Sequence, residues 1–164
     1  MLAQIGLSLL VETVADHQVA AQNGMGLAGG ALFTWGKANY GVLGNGTATP
    51  NLSSPVQVGA RTDWTVVTSG NYHCGGIAGG LLFMWGLNNY GVLGDGTTTG
   101  RSSPVQIGAR TDWTKIVVAS PRYSSAGIAA GQLFVWGRNV EGQVGDGTTT
   151  VRSSPTQVGS RTDW

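Results

Sequence analysis

The stretch Leu82-Phe83-Met84-Trp85-Gly86, near the middle of the 164-residue chain, decides the fold because it is repeated. Residues 32–36 read Leu-Phe-Thr-Trp-Gly, and residues 133–137 read Leu-Phe-Val-Trp-Gly. The tryptophans of the three copies are 50 and 51 residues apart. A repeat of this length built from short apolar runs is typical of propellers and other arrays, in which one unit cannot bury its own faces.

Three further motifs recur with the same period. Each copy is followed by a glycine-rich turn, which reads Tyr-Gly-Val-Leu-Gly-Asp-Gly at residues 90–96 of the middle unit. A Ser-Ser-Pro motif comes next, and each unit closes with Arg-Thr-Asp-Trp. We therefore divide the chain into three repeats of about fifty residues, at about 16–64, 65–113 and 114–164. Residues 1–15 precede them and are expected to form an apolar strand or a short helix.

The middle repeat shows how each unit should fold. Residues 66–69 are a β-branched run that favours a strand, and Gly79-Gly80 predicts a two-residue hairpin turn because such turns need positive φ. Pro104 precedes an alternating run and should mark the point after which a half-exposed outer strand begins. The expected fold is all-β: about three β-propeller blades that form a partial propeller, or one completed by oligomerisation.

The repeated tryptophans are expected to fill the space between blades. Trp35, Trp85 and Trp136 each end an apolar run that follows a turn, so a large side chain at this position can pack against a neighbouring blade. We therefore predict that all three occupy equivalent buried positions.

Composition excludes several classes of protein. Only 10% of residues are charged, the net charge is +1 and the basic residues are scattered, so nothing indicates binding to nucleic acid or an anionic membrane. The single cysteine, Cys74, excludes an internal disulfide framework. The apolar residues 1–11 lack the basic start of a signal peptide and are too short to span a bilayer. We expect a virion or cytoplasmic protein.

Residues that recur in every unit are interpreted as structural. Asp63 should accept backbone N–H bonds in the turn before Trp64, and Arg61 should pair with that carboxylate or cover a tryptophan face. The glycine spacing does not fit a dinucleotide- or phosphate-binding loop, and Asp95 and Asp146 lack the dense aspartate spacing of a calcium loop. We predict no catalytic residue, no cofactor and no metal site.

Polar residues that do not recur are the better functional candidates. His73 stands where the other units carry Asn23 and Ser124, and no carboxylate or serine is matched to it in the sequence. His17 follows Asp16, but adjacent strand residues face opposite sides. Tyrosine and arginine are enriched in protein interfaces. The predicted interface residues are Tyr72, His73, Arg122, Tyr123 and Arg138.

The motifs Leu-x-x-Trp-Gly, Gly-x-Leu-Gly-x-Gly and Ser-Ser-Pro-x-x-Val/Ile resemble the repeats of the regulator of chromosome condensation family over about residues 16–164. The resemblance implies a β-propeller, usually of about seven four-stranded blades in that family. Its members include a nucleotide-exchange factor for a nuclear GTPase that also docks on nucleosomes, a bacterial β-lactamase-inhibiting protein, and many bacterial and phage proteins without an assigned role. This chain has three repeats, and no exchange-factor residue can be carried over to it.

Two functions remain open at this point. The first is a non-catalytic structural or protein-interaction module, such as a decoration, tail or attachment protein of a phage virion, whose partners are other copies of itself or other subunits that complete the propeller. The alternative is a regulatory binding propeller, inhibitor-like or exchange-factor-like, that holds its partner on one face. An enzyme is not expected, and clustering of His73, Asp95 and Tyr123 around a pocket with perturbed pKa values would be the observation in favour of one.

Overall fold

The structure of the chain is a computed structural model, and it describes residues 23–119 and 122–164. Eleven β-strands lie in this part, and the expected segment 1–15 and His17 fall outside it. The strands are β1 (Asn23–Ala28), β2 (Ala31–Gly36), β3 (Leu52–Gln57), β4 (Trp64–Ser69), β5 (His73–Ala78), β6 (Leu81–Gly86), β7 (Arg101–Gln106), β8 (Trp113–Ala119), β9 (Ser124–Ala129), β10 (Gln132–Gly137) and β11 (Arg152–Gln157). Two short 3-10 turns span Asn39–Gly41 and Asn89–Gly91.

The strands pair in chain order into three antiparallel sheets. The first contains the three described strands β1 to β3, the second contains β4 to β7, and the third contains β8 to β11. The first strands of the second and third sheets, β4 and β8, contact each other, and β1 contacts β4. Each sheet is thus one blade packed against the next, which confirms the all-β prediction of about three blades in a partial propeller.

Two-residue turns join β1 to β2, β5 to β6 and β9 to β10, as the sequence predicted for Gly79-Gly80. Gly79 and Gly80 have φ values of 57° and 76°. The first blade uses Gly29-Gly30 in the same way, whereas the third blade places Ala130 before Gly131, with φ values of 48° and 72°. Only the third blade therefore asks a residue with a Cβ to adopt the left-handed conformation in this turn.

The outer strand of the second blade begins earlier than predicted. Strand β7 starts at Arg101 and contains Pro104 in its interior, so the proline does not precede the strand. This position is tolerated because β7 pairs only with β6 and forms the edge of its sheet, where a residue without an N–H costs no ladder bond on the open side.

The tryptophans of the Leu-x-x-Trp-Gly motif lie between blades. Trp85 and Trp136 are fully buried, and they lie against Gly44 of the first blade and Gly94 of the second. Trp35 is only partly buried. The prediction of equivalent burial therefore holds for two of the three, since none of the described residues forms a blade before the first.

The ends of the blades nearest the Gly-Gly turns carry an ion pair and an aromatic ring. Arg61 makes two hydrogen bonds to the carboxylate of Asp63, at 3.0 and 2.7 Å, and its guanidinium lies 4.9 Å from the ring centroid of Phe83. The arginine thus pairs with the carboxylate, as predicted, but it covers a phenylalanine and not a tryptophan. The Asp63 carboxylate binds the guanidinium, where we had expected it to accept backbone N–H groups.

Candidate functional site

The four tyrosines of the chain touch one another in an unbroken series across the three blades. Tyr40 packs edge-on against Tyr72 at 5.6 Å between ring centroids, Tyr72 stacks on Tyr123 at 5.6 Å, and Tyr123 contacts Tyr90 at 5.5 Å. The planes of Tyr72 and Tyr123 differ by only 13°. We call the surface formed by these four residues the tyrosine face.

The blade topology brings these tyrosines to one end of the propeller. Tyr72 and Tyr123 lie in the loops between the first and second strands of their blades, and Tyr40 and Tyr90 lie in the 3-10 turns after β2 and β6. In an antiparallel meander, alternate connections lie at the same end of the sheet. The tyrosine face is therefore at the end opposite the Gly-Gly turns and the Arg61–Asp63 pair.

Three of the four tyrosines have a backbone conformation that side chains rarely adopt. The φ values of Tyr40, Tyr90 and Tyr123 are 61°, 64° and 53°. Such residues cost about 1–3 kcal/mol each and are concentrated at binding and catalytic sites, where the surrounding structure enforces them. Left-handed tyrosines recur here on a single surface, which marks the tyrosine face as a candidate binding site.

Close packing between blades holds the two turn tyrosines in place. The glycine after Tyr40, Gly41, lies so close to the outer strand of the second blade that a Cβ there would be 2.6 Å from the Cα of Ser102. Gly91 is equally close to Ser153 of the third blade. Because the turns cannot move away from the next blade, their tyrosines are displayed on a rigid support.

The rings of the tyrosine face are available to a partner. Tyr40 and Tyr90 are 50% and 43% exposed, and Tyr72 and Tyr123 are half-buried between them. Burial, followed by the proximity of the other three tyrosines, raises the pKa of Tyr123. The surface combines large rigid rings with hydroxyl groups that can donate and accept hydrogen bonds.

The residues predicted from the sequence for an interface divide into two groups. Tyr72 and Tyr123 form the central stack, and Arg122 is exposed beside Tyr123. The backbone N–H of Arg138 donates to the carbonyl of Tyr123 at 2.8 Å, and its side chain pairs with Glu141 at 3.1 Å. His73, by contrast, is fully buried and takes no part in the surface.

Sequence reasoning missed Tyr40 and Tyr90, because they belong to the repeated glycine-rich turn and recurring residues were interpreted as structural. A signal was present, since the third unit carries Glu141 at this position. A tyrosine that the turn does not require in every unit is free to serve a surface.

His73 is buried and contacts the third blade, which indicates a structural role. Its Nε2 lies 3.2 Å from the Ser125 hydroxyl, and that hydroxyl donates to the carbonyl of Val92 at 2.9 Å. Because Ser125 uses its proton on Val92, Nε2 of His73 is the donor to Ser125, which is the reverse of the arrangement that activates a serine nucleophile. Burial lowers the pKa of His73 to about 4, a contact with the Ser124 backbone opposing the shift.

Cys74 is also held in an unreactive state. It is fully buried, and its Sγ lies 3.5 Å from the carbonyl oxygen of Val42. Burial raises the pKa of the Cys74 thiol to about 11, so the nucleophilic thiolate is not formed at neutral pH.

Asp95 and Asp146 anchor their own loops. An arginine binds each carboxylate, Arg101 at 2.6 Å from Asp95 and Arg152 at 2.6 Å from Asp146. Hydrogen bonds from Thr148, in the first place, and from Arg152 lower the pKa of Asp146 to about 2. Within residues 23–119 and 122–164, no three His, Cys, Asp or Glu side chains are grouped as a metal site requires.

Two grooves run between successive blades. One, of about 580 Å³, lies between the first and second blades and is lined by Trp64, Phe83 and Arg61, among others. Its counterpart between the second and third blades has a volume of about 490 Å³ and includes Trp113 and Asp95. The three residues whose clustering would have indicated an enzyme are thus separated: Asp95 lines a groove, Tyr123 lies on the tyrosine face and His73 is buried.

The chain belongs to the regulator of chromosome condensation (RCC1) repeat family, whose model matches residues 29–77, 79–124 and 130–163. No curated protein matches the chain. In the part that the structure describes, no helix has the length and apolar character needed to cross a membrane.

The fold is similar to those of solved propellers. Human WBSCR16 has a TM-score of 0.70 and 24% identity, covering 85% of this chain and 38% of that one. Prp20p from Saccharomyces cerevisiae, whose structure was reported with its binding properties to Gsp1p and histones, has a TM-score of 0.73 and 16% identity, with 85% and 36% covered. Yeast RCC1 (Prp20) bound to Kap60 gives 0.67 and 21%, with 84% and 35% covered. The chain thus spans little more than a third of these proteins.

Proposed function

We propose that this chain is a non-catalytic protein-interaction module that binds its partner through the tyrosine face. The observation that carries the proposal is the continuous tyrosine series, in which three of the four residues are held in left-handed backbone conformations. Tyrosine is among the residues most enriched at binding hot spots, because it supplies a large contact area at a low entropy cost.

Two features support a binding role over a catalytic one. Among the described residues, the buried histidine and the buried cysteine are both held in states unsuited to proton transfer or nucleophilic attack. The solved propeller Prp20p, which is yeast RCC1, is described in a binding study with Gsp1p and histones and in a structure bound to Kap60. At 16% and 21% sequence identity, these partners are not transferred to this chain.

The experiment is affinity capture from cells of the source organism with three forms of the full chain. We expect the wild type and a control, Val56→Ala on the exposed outer strand β3, to retain one protein in a stoichiometric complex. The double variant Tyr72→Ala/Tyr123→Ala should lose it while keeping the thermal unfolding transition of a folded chain. Retention of the same protein by the double variant, or the absence of any stoichiometric complex, would refute the proposal.

A second contact surface is proposed at the far side of the third blade. Trp64 and Trp113 are each 4% exposed. Each opens the first strand of a blade and packs on two aromatic rings of that blade, Trp64 on Phe83 and Trp85 and Trp113 on Phe134 and Trp136. The equivalent Trp164 is 52% exposed. Partly buried Trp35, at the other side of the structure, presents the other half of such a junction. We propose that a further blade covers Trp164, supplied by a second copy, by another subunit or by further repeats.

Light scattering of the 164-residue chain tests self-completion. We expect association that weakens when Trp164 is replaced by alanine. A stable monomer with cooperative unfolding, unaffected by that substitution, would contradict it.

The finer role stays a prediction. A structural component of a phage particle would be detected by mass spectrometry in purified virions, in fixed copy number. A regulatory binder, such as an enzyme inhibitor or an exchange factor, would instead form a soluble complex that changes the activity of its partner. The affinity capture above distinguishes the two by the protein it recovers.

A further inference from the structure

The charges of the described residues are almost completely neutralised in pairs. All six carboxylates in this part of the chain form an ion pair with an arginine. The pairs are Arg61–Asp63, Arg101–Asp95, Arg110–Asp112, Arg138–Glu141, Arg152–Asp146 and Arg161–Asp163. The surface therefore offers a partner few charges that are not already engaged.

Three cations have no ion-pair partner among the described residues: Lys37, Lys115 and Arg122. Arg122 is exposed and directly precedes Tyr123 in the loop at the tyrosine face. Lys115 is exposed near the start of strand β8, towards the opposite end of the propeller. The unpaired charges are thus distributed between the two ends and are all positive.

Lys37 also belongs to the tyrosine end. It directly follows strand β2, three residues before Tyr40. In the other blades the residue at this position binds the loop of the central stack: Leu87 donates its N–H to the carbonyl of Tyr72, and Arg138 donates to that of Tyr123. Lys37 and Arg122 therefore flank the tyrosine face, and no unpaired carboxylate among the described residues accompanies them.

We infer that the partner presents an acidic segment of polypeptide to the tyrosine face. Its apolar atoms would pack on the rings of Tyr72 and Tyr123, and its carboxylates would accept hydrogen bonds from Arg122 and Lys37. The inference rests on the proposed function, that a protein partner binds the tyrosine face, and specifies that this partner is negatively charged. Two unpaired cations are too few for tight binding to a phosphate backbone, which favours protein over nucleic acid.

The experiment is selection of a random peptide library displayed on particles against the immobilised full chain. We expect the selected peptides to be enriched in Asp and Glu. Binding of one selected peptide, labelled with a fluorophore, is then measured by anisotropy against the wild type and single variants. Arg122→Ala and Lys37→Ala should each weaken binding about two- to fivefold, the effect of a charge at the protein surface, and the loss should shrink at high salt.

Lys115→Ala is the matched control, since it removes an equivalent exposed cation away from the face and should leave affinity unchanged. Enrichment of neutral or basic peptides, or equal effects of Arg122→Ala and Lys115→Ala, would overturn the inference. If Tyr72→Ala abolishes binding while Arg122→Ala does not affect it, the proposal that the tyrosine face binds the partner is supported and the inference of an acidic partner is refuted. If Tyr72→Ala has no effect either, both proposals fail.

Discussion

The indole Nε1 of Trp85 donates a hydrogen bond to the carbonyl oxygen of Val42, 2.9 Å away in the preceding blade. Trp136 makes the equivalent bond to Val92 at 2.8 Å. Both donors and acceptors are buried, so each bond ties two blades together in an environment that excludes water. The junction between blades is therefore specified by a polar contact as well as by apolar packing.

Replacing Trp85 with phenylalanine tests this junction. The variant keeps an aromatic ring but leaves the buried Val42 carbonyl without its indole donor, so we expect a loss of about 1–3 kcal/mol in the free energy of unfolding. Urea denaturation measures the loss. Trp35→Phe is the control: its indole is partly exposed, and it should cost clearly less. Equal losses at the two positions would show that the hydrogen bond contributes nothing.

The stability of the chain should depend on pH through His73. Burial lowers the pKa of His73 from 6.5 to about 4, so the unfolded chain binds a proton that the folded chain does not between these values. Stability is therefore complete above about pH 6.5 and falls as the pH drops towards about 4, by about 3 kcal/mol in total. Asp146, with a lowered pKa of about 2, loses its contribution only at still lower pH.

Asparagine occupies the position of His73 in the first blade, so His73→Asn is a conservative test. Unfolding midpoints measured from pH 7 to pH 4 should fall less steeply in this variant than in the wild type. Identical slopes would mean that the histidine is not the titrating group.

Asn88 should be the most sensitive residue of its loop. Its buried amide nitrogen lies 3.1 Å from Asp95 Oδ1, 3.0 Å from the Thr97 carbonyl and 3.1 Å from the Thr99 carbonyl. Its Oδ1 accepts the N–H of Leu93 at 2.9 Å. Asn88→Ala leaves several of these groups unpaired and should cost about 2–3 kcal/mol in thermal or urea unfolding.

The neighbouring Asn89 provides the control for that measurement. It is exposed in the same turn, and its replacement by alanine should change stability by no more than about 0.5 kcal/mol. A small effect at both positions would show that the loop is held by other contacts. The first blade carries Ala38 in place of Asn88, and there Oδ1 of Asn51 accepts the N–H of Ala38 at 3.0 Å.

A substitution in the hairpin turn of the third blade should raise the stability of the chain. Ala130 has a φ of 48°, a conformation that costs a residue with a Cβ about 1 kcal/mol and glycine almost nothing. Ala130→Gly should therefore raise the free energy of unfolding by about 0.5–1 kcal/mol.

The mirror experiment is Gly29→Ala in the first blade. A Cβ there would have no atom within 4 Å, so only backbone strain should act, and stability should fall by a similar amount. Opposite signs for the two variants are the expected result, and equal signs would contradict the strain argument.

The blade architecture could be predicted because its determinants are local and repeated. The Gly79-Gly80 turn and the apolar runs around it are short-range signals, and each is confirmed. The start of β7 was misjudged, since nothing in the sequence tells a proline before a strand from a proline within an edge strand. Half of the tyrosine face was missed for a different reason: the contact of Tyr40 with Tyr72 joins two blades and leaves no local trace.

His73 shows the limit of reasoning from non-recurring residues. Its departure from Asn23 and Ser124 was visible, but burial is a property of the neighbouring blade, whose Ser125 binds its Nε2. The exposed Arg122 and the buried His73 look equally functional in the sequence. Only the packing of the third blade on the second separates them.

Every arginine–carboxylate pair of this structure joins two residues of the same repeat, whereas the tryptophan bonds join different repeats. In the second repeat every charged side chain is therefore neutralised within the repeat, and the contacts to other repeats are the uncharged tryptophan bonds. Copying such a unit in a gene lengthens the array without accumulating charge that would drive its members apart. The number of blades can thus change in evolution by duplication or loss of whole units. Each new repeat brings the same tryptophan indole and the same backbone carbonyl, so the hydrogen bond between neighbouring blades forms again.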